Sequence, residues 1–219
     1  MTDSASDKAN IGRLILGPAL ITFSITILRL EGELHHWGSP WFYTSAGGDG
    51  AIVGISWLPI IFGPYFALKL ANAGEAPVNY RKAFGSTIGA LAVIILGGIL
   101  VAVTESHPGV LTLAGFVIML AGAFIPLIGW RSLAGTLLFY AFSARIPVLV
   151  VMYLALSGHW GTHYDAVPAR YQDLALWKKF FDVAFLPQMF LWISYTVIMG
   201  ALFGEIASAM FGRRAVRAS

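Results

Sequence analysis

Between Arg131 and His159 the chain carries a single charged residue, Arg145, in a run that is otherwise small or apolar. At about 1.5 Å per helical residue such a run matches the roughly 30 Å of a bilayer's hydrocarbon core. Comparable runs recur at roughly 11–30, 51–72, 85–104, 110–130, 132–157 and 184–209. In hydrocarbon every backbone N–H and C=O must find its partner within the chain, which leaves helices for segments of this length. The expected fold is therefore an all-α integral membrane protein: a bundle of about six transmembrane helices, several kinked by proline.

Composition supports that solvent. Hydrophobic residues are 58% of the chain and charged residues 11%, where a soluble domain carries about 25% charge. The six runs leave no length for a second domain, so the expected organisation is a polar N-terminus at 1–10, one membrane domain at 11–212 and a basic tail at 213–219. The first run has a basic flank, but it is too long for a signal-peptide core and no small-residue cleavage motif follows, so it reads as an uncleaved span. With no cysteine in the sequence, disulfides, thiolate metal sites and thiol catalysis are excluded. The pI is about 9.3, yet the cations are scattered along the borders of the runs, which argues against nucleic acid as a partner.

Those borders predict a topology. Lys8, Arg13, Lys69, Arg81, Lys82, Arg131, Arg213, Arg214 and Arg217 fall on one side of the six runs. The other side holds Glu31, Glu33, Asp49, Glu105, Asp165, Asp173 and Asp182, with Arg29, Arg170, Lys178 and Lys179 as its cations. The positive-inside rule then places both termini in the cytoplasm of a plasma-membrane protein, with the long first and fifth connections outside. Residues 171–182, YQDLALWKKFFD, interleave aromatic and basic residues and are expected to form a short amphipathic helix on the outer interface before the last span.

Within the runs, the informative residues are those that hydrocarbon rejects. Arg145 lies near the expected midplane, where a cation costs at least ~2.5–3.5 kcal/mol. Pro147 frees a carbonyl one turn earlier, with Ser143 beside it. Counting depth from residue 184 brings Ser194, Tyr195 and Thr196 of the last span level with the arginine; Arg145 reads either as a structural cation that snorkels or bonds carbonyls freed by the kink, or as a candidate substrate site with Ser143 and these three. Glu205 falls about 12–15 Å away in depth by the same count; it reads as an interfacial carboxylate near Arg213 and Arg214, with a proton-coupling role as the minority reading. Pro18, Pro59, Pro64, Pro126, Pro147 and Pro187 place a proline in five of the six runs, as a bundle with a partly wet cavity would need. Gly85 and Gly89 form a GxxxG pair, with Gly97 and Gly98 further along the third run, while Gly115, Gly122 and Gly129 recur every seven residues; all read as close helix contacts, intramolecular in preference.

All five histidines, His35, His36, His107, His159 and His163, fall in the expected outer connections with Glu105 and Asp165. Together they could supply a transition-metal site, such as one for Zn, on the outer face. Gly158 and Gly161 interrupt the spacing of His159 and His163, however, and the neighbouring Trp and Tyr residues make an ordinary interfacial belt. No HExxH, Walker, dinucleotide or GxSxG signature is present, and GGDG at 47–50 reads as a turn. Three functions stay open: a small carrier or channel-like protein with a polar cavity at Arg145, taking a polar or anionic solute; a metalloenzyme acting on an amphiphile at the outer leaflet; and a non-catalytic subunit of a homo-oligomer or larger membrane complex.

Overall fold

The computed structural model describes residues 10–46 and 50–212. Among these the secondary structure is helical throughout, with no strand. Six helices form the bundle: α1 (Ile11–Leu34), α2 (Leu58–Asn72), α3 (Tyr80–Val103), α4 (Val110–Gly122), α5 (Arg131–Gly158) and α6 (Leu176–Gly212). Local chemistry marks several ends. Asn10 and Asn79 accept from the N–H groups of Arg13 and Lys82, capping α1 and α3. At the C-terminus of α5, His159 takes the left-handed conformation (φ 52°).

Five helical segments are long and apolar enough to cross a membrane: Ile11–Leu34, Tyr80–Val103, Val110–Ile128, Arg131–Gly158 and Leu176–Gly212. The third of these continues from α4 through a 3-10 turn at Ile125–Ile128 that includes Pro126. The run expected at 51–72 is helical only from Leu58, because Pro59 suits a first turn and residues 51–57 form bends beside α1. With 15 residues, α2 is about 22 Å long, shorter than a hydrocarbon core. The expected separate interfacial helix is also corrected. Residues 169–171 form a 3-10 turn, and from Leu176 the chain is already in the 37-residue α6, so the aromatic and basic segment is the first part of the last helix. Two π-helical stretches, Phe180–Phe185 and Pro187–Trp192, follow one another here, and the second begins at Pro187, which has no N–H to donate to an α-helical ladder.

α6 is the axis of the bundle. One core joins it to α2 and α5 through Phe66, Leu133, Leu137, Tyr140 and Val197. A second joins it to α3 and α4 through Ile94, Phe116, Met119 and Ile198. Glycines set these approaches: a Cβ on Gly204 would lie 2.8 Å from the Gly63 carbonyl oxygen of α2, and one on Gly97 would lie 2.6 Å from the Gly115 carbonyl oxygen of α4. Gly129 and Gly122 likewise face α3. Gly85, Gly89 and Gly98 meet nothing within the described chain, so the expected intramolecular role of the GxxxG pair does not hold. A third cluster, Leu30, Val148, Val151, Ala155 and Tyr164, packs the connection after α5 against α1 and α5. It closes one side of a cavity.

Candidate functional site

The cavity has a volume of about 580 Å³, within the range of small-molecule sites. It lies between α1, α5 and α6 and is roofed by residues 50–56 and 163–168; Thr26 and Arg29 come from α1, Arg145, Val148 and Met152 from α5, and Val183, Pro187, Gln188 and Trp192 from α6.

Arg145 is 4% exposed. Its Nη1 donates to Gln188 Oε1 at 3.3 Å, and its guanidinium stands 4.8 Å from the centre of the Trp192 ring. Its Nε has no hydrogen-bond partner among the described residues. Gln188 in turn donates from Nε2 to Met152 Sδ at 3.7 Å, so a neutral amide is held between the arginine and a thioether. No carboxylate forms an ion pair with Arg145 among the described residues. The cation is desolvated, partly hydrogen-bonded and uncompensated. That condition is costly in a structure and useful in a binding site.

The second arginine is arranged differently. Arg29 Nε donates to Glu33 Oε1 at 2.8 Å along one turn of α1, and Glu33 is 1% exposed. The same carboxylate accepts from the His163 backbone N–H at 2.8 Å, and His163 Nδ1 lies 2.7 Å from each of its oxygens. A carboxylate only accepts, so the proton of the neutral ring sits on Nδ1. Burial pushes the His163 imidazole below the ordinary histidine range, against the upward pull of Glu33. The ring is therefore neutral at pH 7. Among the described residues, Glu33 pairs with Arg29, and Arg145 is the cation of the wall that no carboxylate meets.

The stretch from Ser157 to Ala166, SGHWGTHYDA, is a folded connection. Asp165 accepts from the N–H of Gly161 at 2.9 Å, the N–H of Thr162 at 2.7 Å and the Thr162 hydroxyl at 2.8 Å, while the buried Tyr164 donates its phenol to the Thr26 carbonyl at 3.2 Å. The Asp165 carboxylate is thus spent on its own loop. His163 points at Glu33, and His159 shapes the end of α5. His35 packs on the carbonyl of Glu31, His36 sits at φ 54°, and His107 is in the turn between α3 and α4. Glu105 pairs with Arg170. Among the described residues no three His, Asp or Glu side chains converge as metal ligands, so the expected outer metal cluster is not assembled. Asp49, and the GGDG turn except Gly50, lie outside the described residues.

The hydroxyls expected around Arg145 are placed elsewhere. Ser194 donates to carbonyls of Met119 and Phe190, Thr196 to Trp192, and Ser143 to Phe139; Tyr195 packs edge-on against Trp192. None of the four lines the cavity. The depth count went astray because α6 begins at Leu176, so Arg145 meets residues 188–192, a full turn nearer its start. Glu205 departs further from expectation. It is fully buried, accepting at Oε1 from Thr87 Oγ1 of α3 at 2.8 Å, and is no interfacial carboxylate. It stands 17 residues, or about 25 Å of helix, beyond Gln188. Arg213 and Arg214 lie outside the described residues.

No protein-family model matches the chain, and neither a characterised protein nor a solved structure shows significant similarity to it. Its function has to be read from its own site. Sequence reasoning missed Gln188, Trp192, Arg29 and Glu33 there. A signal existed for three of them: Gln188 is an amide inside an apolar run, and Arg29 with Glu33 is an i,i+4 pair at the end of one.

Proposed function

We propose that this protein is a small membrane carrier or channel-like protein that binds an anionic solute in the cavity at Arg145. The observation that carries this reading is an arginine 4% exposed, with an unpartnered Nε, on the wall of a cavity of about 580 Å³. Among the described residues Arg29 is met by Glu33, whereas no carboxylate meets Arg145, which favours a negative charge on the solute at that point. Trp192, Met152, Val148 and Ile55 offer apolar contact around it, which favours a monoanion with an apolar body over a dianion. In this reading the chain lies in a plasma membrane with both termini in the cytoplasm and the cavity opening outward, because the cations of Lys69, Arg81, Lys82 and Arg131 gather at the opposite end.

The test is flux of radiolabelled benzoate, with phthalate and benzamide as dianionic and neutral comparators, into liposomes containing the purified protein. Wild type should pass benzoate preferentially, Arg145→Gln should lose at least about tenfold of that flux, and Arg145→Lys should keep part of it. Equal flux in wild type and Arg145→Gln would refute the reading.

A second reading, as a subunit of a homo-oligomer or larger membrane assembly, is favoured by the outward-facing Gly85 and Gly89. It predicts that Gly85→Leu with Gly89→Leu lowers the particle mass measured by light scattering in mild detergent. The metalloenzyme reading has no comparable support, since its ligands stay apart.

A further inference from the structure

We propose that Glu205 is a proton-binding site, served from the basic end of the bundle by the hydroxyl pair of Tyr80 and Ser208. This site is separate from the Arg145 cavity, which lies about 25 Å away toward the start of α6.

Glu205 is fully buried inside a helix long and apolar enough to cross a membrane. Its Oε1 accepts from Thr87 at 2.8 Å, and its Oε2 has no partner among the described residues. The charged residues of the elements packed on this turn, Lys69 of α2 and Arg81 and Lys82 of α3, are exposed. α2 brings Gly63 and Ala67 against Gly204, and α3 brings Thr87; no Lys, Arg or His forms an ion pair with Glu205 among the described residues. An isolated carboxylate in such a place carries a desolvation cost that one hydroxyl donor does not offset, so the group is held as the neutral acid. A hard metal cation takes six or more oxygen ligands, whereas among the described residues Thr87 Oγ1 is the hydrogen-bond partner found on this carboxyl. A proton needs one.

The proposed route lies on the same faces. Ser208 is three residues beyond Glu205 on α6, Tyr80 is seven residues before Thr87 on α3, and their hydroxyls meet at 2.8 Å. Tyr80 is the first residue of α3, next to Arg81 and Lys82, where the bundle reaches its basic surface. Thr87–Glu205 and Tyr80–Ser208 thus form two rungs of one polar seam between α3 and α6, leading from the buried acid to that surface. Binding adds a proton from water at Oε2; release returns it along the seam and leaves a carboxylate held by Thr87.

Infrared spectroscopy of the wild-type and Glu205→Gln proteins in liposomes tests this directly. The carbonyl stretch of a protonated carboxyl should be present at neutral pH in wild type, absent in Glu205→Gln, and lost reversibly as the pH is raised. Its exchange into D2O should slow by roughly tenfold in the Tyr80→Phe/Ser208→Ala double variant. Should Glu205→Gln not fold, Glu205→Asp assigns the same band by shifting it. The proposal is overturned if no such band exists at neutral pH, if the band resists alkali until the protein unfolds, or if sodium removes it at constant pH. An exchange rate unaffected by the double variant overturns the route.

Discussion

Arg145 and His163 show how burial changes what a familiar side chain does. An arginine with no carboxylate partner contributes little to holding the fold, so exchanging it for an apolar residue of similar length removes a cost. Arg145→Met should leave thermal unfolding in detergent unchanged or raised, by up to about 1–3 kcal/mol, while benzoate flux is lost. A fall in stability of that size would instead make the arginine structural. His163 gives the connection after α5 a pH dependence. Its folded-state pKa lies below the ordinary value near 6.5, chiefly through burial, with Arg29 pushing the same way and Glu33 and Asp165 opposing. The unfolded loop then binds more protons than the folded one, so the contribution to stability is complete above about pH 6.5 and is lost as the pH falls from there through the depressed folded value. Hydrogen exchange of residues 159–168 should accelerate between pH 7 and pH 5 in wild type and stay flat in His163→Asn, which keeps a donor but does not titrate.

At the scale of the helices, glycine and proline decide who packs where. Gly200 and Gly204 of α6 form a GxxxG face against Gly63 of α2, and this contact places the short α2 on the central helix. Gly204→Val would drive a branched side chain into the Gly63 carbonyl and Ala67, which should destabilise by about 1–3 kcal/mol. Gly98→Ala, on the open side of α3, should be silent in the same melt. The six apolar runs were legible because hydrophobic length has one cause, the thickness of the hydrocarbon. Their ends were less so. The start of α2 at Leu58 and the early start of α6 at Leu176 depend on what residues 51–57 and 169–175 pack against, which no run of hydropathy records.

For the molecule as a whole, the Arg29–Glu33–His163 group ties the connection after α5 to the end of α1 and so roofs the cavity. Glu33→Ala would leave Arg29 without this carboxylate and His163 without its acceptor. A loss of about 3–5 kcal/mol, with faster proteolysis between α5 and α6, is expected. The absence of native cysteine makes topology easy to test. In intact cells an impermeant maleimide should label Ser106→Cys, between α3 and α4, and should reach Val78→Cys, between α2 and α3, only after lysis. Labelling in the reverse order would invert the orientation and turn the cavity toward the cytoplasm.

Hydrophobic run length and composition alone determined the helical class, the position of most of the long apolar helices and the singular status of Arg145, because each follows from what one residue or one run would cost in hydrocarbon. The partners of the buried charges were decided by the tertiary structure. That Arg145 meets Gln188 and Trp192, that Glu33 holds His163 and that Glu205 is sealed against Thr87 all depend on helix register and close approach between segments far apart in the chain. The same physics scattered the histidines. Five in one group of connections looked like a ligand set, but His163 is turned to Glu33 and among the described residues no three ligands converge, as a metal needs.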